Sequence, residues 1–379
     1  MMAKQVVILG AGASGIATAH KLLKHTAPKI KDLKVVLVSP NTHFFWNPAI
    51  VRGLVPGEIP DDKMFIPIAP NFAHYPINTF QLVRGLAERI DTARDSVAVK
   101  SDKGLETIPY DYLVIATGSN VGSVPVKHLG DHEFTIGELH KLQHDIKAAK
   151  SIVVAGAGAS GIETVAELGL AYGKTKDITL IVRGDRILTS MRRDMSETGE
   201  AALEATGVEL IRNASVTKSS KDGPQTVITL STGQKLNADV YLPLTGVRPN
   251  TSFLPEQWLD GDGNVKVNPH LRVEGTENVY AIGDVCNLEA KTLLAVETQF
   301  SYLGDELDAV LEGKAGAVTD YNVDTNVRQF VSLGKWNGLG QYNSWKIFGF
   351  LVGMMKGRTL FVETAPKIVQ GKQVIRTKV

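Results

Sequence analysis

The six-residue stretch GAGASG occurs twice in the chain, from Gly10 to Gly15 and again from Gly156 to Gly161. Each copy follows a short apolar run and precedes a helix-like segment. In this context the first glycine allows a tight turn, the second lets the backbone approach a pyrophosphate, and the third lets helix and strand pack closely. The phosphates would face helix N-termini, where free N–H groups favour negative charge. The duplication therefore predicts two dinucleotide sites in one chain.

Short apolar and helix-like segments must position these glycines. Residues 6–9 are expected to form a buried parallel strand before the first copy, and residues 16–23 a helix after it. The second copy repeats this order, with a strand at 152–155 and a helix at 162–168. The residues predicted to contact the dinucleotides from the two turns are Gly10, Gly12, Ala13, Ser14, Gly15, Gly156, Gly158 and Gly161.

Composition excludes several other classes of protein. A length of 379 residues suits two to three domains, and the formal net charge of +1 gives no reason to expect nucleic-acid binding. The single cysteine, Cys286, excludes an intramolecular disulfide and any cysteine-rich metal or cluster site. We expect it to be a packing residue rather than a nucleophile. His140 and His144 have helical spacing but lack further ligands, so no metal site is predicted.

Because no secretory or N-myristoylation signal is recognisable, we expect a cytoplasmic protein. The first strand begins within a few residues of Met1, which disfavours a secretory signal, and Met2 stands where N-myristoylation requires glycine. The apolar segment 345–356, bounded by lysines, is too short to cross a bilayer. Its composition suits peripheral membrane contact or the lining of a quinone passage. A buried helix or a homodimer contact is the alternative, and the sequence leaves both open.

Three further strand-like segments end in small polar motifs. Residues 110–118 end in Ala-Thr-Gly, residues 238–246 in Thr-Gly, and residues 278–284 in Gly-Asp. The first two are placed so that each closes one nucleotide-binding unit and returns the chain to the other. This order predicts that the second unit is inserted into the first.

The ordered set of motifs resembles the two-dinucleotide-binding-domain flavoproteins over essentially the whole chain. Within that superfamily, the tail at 332–341 and 355–362 is most similar to the apoptosis-inducing-factor-like, ferroptosis-suppressor type of NAD(P)H:quinone oxidoreductase. Phe44, Asn47 and Arg52, in the loop after the second strand, match that family as well.

The resemblance implies an α/β fold with two nested Rossmann-like domains, as in glutathione reductase, and a small α+β C-terminal domain. The predicted boundaries are 1–120 with 245–325 for the FAD-binding domain, 121–244 for the NAD(P)H-binding domain, and 326–379 for the C-terminal domain. Hydride would pass from NADPH or NADH to the flavin, and electrons onward to a quinone-like small-molecule acceptor.

The resemblance also implies roles for individual residues around FAD. Asp284 would bond the ribityl chain, and Arg52 would reach the FAD phosphates or the ribityl side. Thr298 and Gln299 fall where the superfamily presents a helix N-terminus to the pyrimidine edge of the flavin. The remaining predicted FAD contacts are Ser39, Ala87, Thr117, Gly118 and Gly283.

Two residues are predicted to take part in catalysis. Glu163 matches a family glutamate near the nicotinamide, although acids also favour the first turn of a helix for electrostatic reasons. Lys356 matches a family lysine near the flavin, where it would stabilise negative charge on the reduced ring. An ordinary helix-ending lysine is the alternative for Lys356.

Two strand ends depart from the family pattern. An acidic residue usually ends the second strand of the FAD unit and bonds the ribose, whereas this chain offers Ser39 or Asn41. At the matching place in the second unit stands Arg183, with Arg186 close behind, where an acid would favour NADH. Arginine there suits the 2′-phosphate of NADPH. We therefore predict NADPH use at least equal to NADH, against the alternative of an exposed arginine without a ligand.

Two other functions remain compatible with the sequence. One is a soluble flavoenzyme that acts on a dedicated specialised metabolite. The other is a redox-responsive, apoptosis-inducing-factor-like binding protein whose oligomeric state changes on reduction. Likeness of fold does not choose between them.

Overall fold

The computed structural model describes residues 4–122 and 124–372. Met2, on which the myristoylation prediction rests, and the last seven residues of the predicted C-terminal domain lie outside this range. The strands in chain order are β1 (Gln5–Leu9), β2 (Lys34–Ser39), β3 (His43–Phe45), β4 (Phe65–Pro67), β5 (Phe80–Asp91), β6 (Ser96–Ser101), β7 (Gly104–Pro109), β8 (Tyr112–Ile115), β9 (Ser119–Asn120), β10 (Ser151–Ala155), β11 (Asp177–Ile181), β12 (Val208–Ile211), β13 (Val216–Asp222), β14 (Gln225–Leu230), β15 (Lys235–Ala238), β16 (Val240–Pro243), β17 (Arg248–Pro249), β18 (Val279–Ala281), β19 (Arg328–Ser332), β20 (Gly338–Tyr342) and β21 (Trp345–Ile347).

The helices of the described residues follow the same numbering. They are α1 (Ala13–Lys21), α2 (Ile50–Gly53), α3 (Asp61–Met64), α4 (His132–Ala148), α5 (Ala159–Tyr172), α6 (Arg193–Glu204), α7 (Leu293–Leu311), α8 (Gly349–Val352) and α9 (Ala365–Val369). Turns of π-helix extend α1 over Leu22–Thr26 and α8 over Gly353–Gly357. Among the described residues, no helix is both long enough and apolar enough to cross a membrane.

The larger sheet has the strand order β18-β8-β1-β2-β5-β6-β7. Its centre is parallel: β1 pairs with β2 on one side and β8 on the other. The apolar, largely β-branched sequence of β1 suits a strand that is covered on both faces, and its last four residues are buried. Strand β18, which follows the smaller parallel sheet in sequence, returns to this sheet beside β8.

The smaller parallel sheet has the order β12-β11-β10-β16, with β10 paired to β11 and β16. An antiparallel sheet of β13, β14 and β15 lies between β12 and β16 in sequence. The strand–turn–helix pattern at each glycine motif places α1 after β1 and α5 after β10. The predicted Rossmann-type α/β fold is therefore confirmed, whereas the domain boundaries stay predictions.

The third glycine of each motif allows the helix to approach its strand. A Cβ atom built on Gly15 would lie 1.9 Å from the carbonyl oxygen of Gly10, and one built on Gly161 would lie 1.9 Å from that of Gly156. Both contacts are with backbone, which cannot move aside as a flexible side chain could. Glycine is therefore required at both positions by packing alone.

The tail forms an antiparallel sheet of β19, β20 and β21 with α8 and α9. Strand β19 contacts α5, and α9 contacts α1, so the tail reaches both nucleotide-binding units. Two side chains of the first unit donate hydrogen bonds to carbonyl oxygens of the tail. Trp46 donates to Leu360 at 2.9 Å, and His20 donates to Val369 at 2.8 Å. These contacts hold residues 328–372 against the rest of the chain.

Candidate functional site

A cleft of about 2430 Å³ runs between the two parallel sheets and the tail. Both glycine-rich turns open into it, as expected because ligands of α/β sheets bind beyond the carboxyl ends of the strands. The predicted site residues that line the cleft are Gly10, Gly12, Ala13, Ser14, Ser39, Ala87, Thr117, Gly118, Gly156, Gly158, Gly161, Glu163, Arg183, Asp284, Thr298 and Lys356.

The second glycine of each motif fits a dinucleotide phosphate. Gly12 and Gly158 stand immediately before α1 and α5, and a Cβ on either would meet no protein atom within 4 Å. That space opens to the cleft, where the free N–H groups of a helix N-terminus attract an anion. Both turns therefore leave the open space and the exposed N–H groups that a pyrophosphate requires.

Asp284 lies at the floor of the first unit's part of the cleft. Its Oδ2 accepts hydrogen bonds from Lys127 Nζ and Ser119 Oγ, each at 2.7 Å. Burial pushes the pKa of Asp284 upward, but the charge and hydrogen bond of Lys127 and the Ser119 hydroxyl outweigh burial and hold the pKa below its usual value. Asp284 is thus a carboxylate at neutral pH, able to accept a hydrogen bond from a hydroxyl group such as that of a ribityl chain.

Glu163 and Lys356, the two predicted catalytic residues, form an ion pair. Lys356 Nζ lies 2.5 Å from Glu163 Oε1, and both side chains are largely buried at the cleft wall. Lys356 also donates to the carbonyl of Phe330 at 2.9 Å, and Glu163 accepts from the Ser332 amide at 2.8 Å. The pair joins the first turns of α5 to the tail and fixes the Lys356 ammonium group at the cleft, with Glu163 partly neutralising its charge.

Arg52, which is predicted to reach the FAD phosphates or the ribityl side, does not line the cleft. Its side chain is buried, and Nη2 pairs with Glu167 Oε1 of α5 at 2.7 Å. Nη1 donates to the carbonyl of Arg358 at 3.3 Å. Nη1 and Nη2 have these partners, whereas Nε has none among the described residues. Arg52 therefore connects α2 to α5 and the tail, and its contact with FAD stays a prediction.

The helix that faces the cleft begins earlier than the sequence suggested. α7 is capped by Thr292, whose hydroxyl accepts from the Ala295 amide at 3.2 Å, so Thr298 lies in its second turn. Thr298 still lines the cleft, and its hydroxyl is 2.8 Å from that of Tyr321. Gln299 does not line it: its side chain is buried and accepts from the Gly283 amide at 2.6 Å.

Gln299 therefore supports the turn that carries Asp284, and its predicted contact with the flavin stays a prediction. Gly283 and Gly15 are likewise absent from the cleft wall formed by the described residues. A Cβ on Gly283 would lie 2.4 Å from Ser14 Oγ, so this glycine lets the Asp284 turn approach the first motif. All three residues shape the site from behind it.

Ser39 and Arg183 stand at the ends of β2 and β11, as the sequence predicted, and both line the cleft. Ser39 ends β2 and lines the cleft, with its hydroxyl accepting from the Asn41 amide at 3.1 Å. Arg183 follows β11, is exposed and lines the cleft, and no hydrogen bond or ion pair of the described residues engages its guanidinium. The nearby Asp185 is instead paired with Arg193 at 2.8 Å, so it leaves Arg183 free to bind an anion.

Sequence reasoning missed Lys127, Ser119 and Asn250. The Asn250 side-chain amide donates to the Thr117 carbonyl at 2.9 Å, and the Asn250 backbone carbonyl accepts from the Thr117 hydroxyl at 2.8 Å. None of the three stands in a recognisable motif. Each contacts a predicted site residue that is more than five residues away in the sequence, and only the folded structure reveals that contact. Cys286 is buried, and burial raises the pKa of its thiol to about 11, which fits the predicted packing role.

Comparison with known proteins agrees with this geometry. Residues 4–299 match the model of the family described as pyridine nucleotide-disulphide oxidoreductase. The oxidoreductase ptaL of Pestalotiopsis fici is 39% identical over 98% of this chain and 100% of its own length. Ferroptosis suppressor protein 1 of Taeniopygia guttata is 29% identical over 94% of each chain.

A solved structure shares the fold. The sulfide:quinone oxidoreductase of Aquifex aeolicus superposes with a TM-score of 0.77 over 97% of this chain and 92% of its own, at 18% identity. At this identity the likeness concerns the arrangement of the chain and not the reaction.

Proposed function

Because the chain belongs to the pyridine nucleotide-disulphide oxidoreductase family, as an FAD-dependent oxidoreductase of the apoptosis-inducing-factor-like type, we propose that it passes two electrons from NADPH or NADH to a quinone-like acceptor. One observation carries the proposal: two phosphate-binding turns open into one cleft, and a buried lysine–glutamate pair lies in the wall between that cleft and the tail. The arrangement suits two coenzymes held together beside a fixed charge.

The residues of the first unit fit FAD, and those of the second fit the nicotinamide coenzyme. The turn at Gly12 would hold the FAD pyrophosphate, and Asp284 would accept from a ribityl hydroxyl. The turn at Gly158 would hold the nicotinamide dinucleotide, with Arg183 beside its adenosine. When bound, the flavin supplies the hydride-accepting and electron-donating chemistry.

The protein supplies alignment and electrostatics. Lys356 carries a positive charge, and its ammonium group is oriented by Glu163 and the Phe330 carbonyl. A charge held in advance beside the place where negative charge develops stabilises that charge without reorganisation. Glu163 is in turn fixed by the Ser332 amide, so both side chains are held by the tail sheet.

The direct test is an anaerobic titration of the purified protein. We expect a yellow protein whose flavin absorbance is bleached by NADPH and restored by a short-chain quinone. Bleaching that no quinone reverses would remove the quinone from the proposal. Failure of both nucleotides to bleach a flavin-loaded protein would overturn the transfer from nicotinamide itself.

Arg183 gives a prediction about coenzyme choice. We expect Arg183→Ala to lower kcat/KM for NADPH by about 10- to 100-fold, because a hydrogen bond to a charged phosphate contributes about 1.5–3 kcal/mol. NADH, which lacks the 2′-phosphate, should be little affected. Steady-state kinetics with both nucleotides measure the change, and Arg89→Ala on the exposed part of β5 is the matched control. A wild-type protein that strongly prefers NADH would contradict the prediction.

An exposed apolar surface lies on the tail beside the cleft. We name it the aromatic patch, and it consists of Trp336, Trp345, Phe348, Phe350, Met354 and Met355, all more than half exposed. It leads along the chain directly to Lys356 in the cleft wall. Exposed tryptophan and phenylalanine are typical of segments that insert into the membrane interface. We propose that the patch contacts a lipid surface, from which a quinone-like acceptor could reach the cleft.

The lysines around the patch are paired within the chain. Lys335 lies 2.7 Å from Glu58, and Lys346 pairs with Asp194. Their charges are therefore partly neutralised, and we expect binding to phosphatidylcholine vesicles that anionic lipid strengthens only slightly. Replacing both Trp345 and Phe348 by serine should lower the vesicle partition coefficient, measured by sedimentation, at least about tenfold. Each substitution removes about 1.5–3 kcal/mol of favourable free energy from burying an apolar side chain in lipid.

Ile77→Ser removes an apolar side chain outside the patch that is even more exposed, and it is the control for the vesicle experiment. Wild-type protein that stays in the supernatant at every lipid concentration would contradict membrane contact. A doubled mass by light scattering, abolished by the same double substitution, would assign the patch to a homodimer instead.

A further inference from the structure

Among the described residues, acidic side chains that line the cleft differ in their partners. The set comprises Asp131, Glu163, Asp284, Glu289, Glu297 and Asp324. All except Glu297 are held by a hydrogen bond or an ion pair. The partners are the Phe134 amide for Asp131, Lys356 for Glu163, Lys127 for Asp284, the Tyr321 hydroxyl for Glu289, and Arg328 for Asp324.

Glu297 has a different environment. It lies on α7 between Val296 and Thr298, is half-buried, and makes no hydrogen bond or ion pair with any described residue. Within the same helix, Val296 and Phe300 are buried and apolar. Burial alone raises the pKa of Glu297, because no charged neighbour opposes it. A carboxyl group of this kind keeps its proton to a higher pH than a glutamate that is fully exposed to water.

The titratable groups on elements that contact α7 are engaged elsewhere. Lys21 of α1 pairs with Asp305 at 2.9 Å, and Asp284 pairs with Lys127. The other such groups are His20 of α1, bonded to Tyr75 and the Val369 carbonyl, Lys24, which donates to the Gly371 carbonyl, and His25. None of them contributes to the raised pKa of Glu297.

The proposed reaction needs a proton donor at the acceptor. A quinone takes up two electrons and two protons as it becomes a hydroquinone. The hydride of NAD(P)H supplies both electrons and one of the hydrogens, and the second proton must come from an acid. We propose that Glu297 donates this second proton to an acceptor oxygen and is reprotonated from solvent. This inference rests on the proposed quinone-like acceptor. The observation that supports it is that the Glu297 carboxyl lines the cleft and has no partner among the described residues.

The test compares acceptors that do and do not need a proton. Ferricyanide accepts single electrons without protonation, whereas a short-chain quinone requires the acid. We expect Glu297→Gln to lower the ratio of the quinone rate to the ferricyanide rate by about 10²-fold, since a positioned general acid contributes about 10²- to 10⁴-fold. Glu297→Asp should retain part of the ratio. Glu274→Gln, an exposed acid with the same change of charge, is the control.

The pH profile and an infrared spectrum provide independent readouts. Because the acid must be protonated to donate, the wild-type quinone rate should fall as the pH rises through the pKa of Glu297, and this fall should be absent in Glu297→Gln. Infrared difference spectra should show a protonated carboxyl band that Glu297→Gln removes. An unchanged acceptor ratio in a quinone-reducing Glu297→Gln protein would overturn the inference. Wild-type protein that reduces ferricyanide and no quinone would instead overturn the proposed acceptor.

Discussion

Replacing Lys356 by methionine is expected to slow the reduction of bound flavin by NADPH by about 10²- to 10³-fold, the usual cost of removing one fixed donor from a site of developing charge. Lys356 lies in the cleft wall with its ammonium group 2.5 Å from Glu163 Oε1. Methionine keeps most of the length of the lysine stem and removes only the charge and its hydrogen bonds. Stopped-flow measurement of flavin bleaching gives the rate directly.

The same substitution should also lower stability. It leaves the Glu163 carboxylate buried with the Ser332 amide but without its counter-charge, and breaking a buried pair from one side costs about 3–5 kcal/mol. Adding Glu163→Gln to Lys356→Met removes the stranded charge and should restore most of the stability without restoring the rate. A Lys356→Met protein that keeps the wild-type rate of bleaching would show that the lysine only joins α5 to the tail.

The parts of the fold that the sequence predicted well are set by local patterns. The strand before each glycine motif and the helix after it were placed within a few residues, because apolar runs and glycines act on their immediate neighbours. The third glycine of each motif is required by a contact with the first, only five residues away. Local patterns therefore located both glycine-rich turns, and the family resemblance supplied the Rossmann-type fold around them.

The sequence did not predict the contacts of two site residues or the start of α7. Arg52 has a side chain long enough either to reach a phosphate or to be buried, and its partner Glu167 is 115 residues away. Gln299 was placed at a helix start because Thr292, the actual cap, was not recognised. The partner of Arg52 thus comes from another part of the chain, whereas the cap that fixes the start of α7 is only seven residues from Gln299.

The ion pair between Arg52 and Glu167 gives the second large prediction. Both side chains are buried, and Arg52 also donates to the Arg358 carbonyl, so one guanidinium contacts α5 and the tail from α2. We expect Arg52→Met to lower the free energy of unfolding by about 3–5 kcal/mol, because the Glu167 carboxylate would remain buried without a counter-charge. Thermal and urea unfolding, read by circular dichroism, measure the change.

Flavin content then distinguishes the two roles considered for Arg52. If the arginine acts through Glu167, Arg52→Met and Glu167→Gln should both destabilise the protein, both should bind flavin when folded, and the double substitution should be more stable than Arg52→Met alone. If it reaches the FAD phosphates, Arg52→Met should lose flavin while Glu167→Gln retains it. The 2.7 Å contact between Arg52 and Glu167 favours the first outcome, since Nη2 pairs with Glu167 and Nη1 donates to the Arg358 carbonyl.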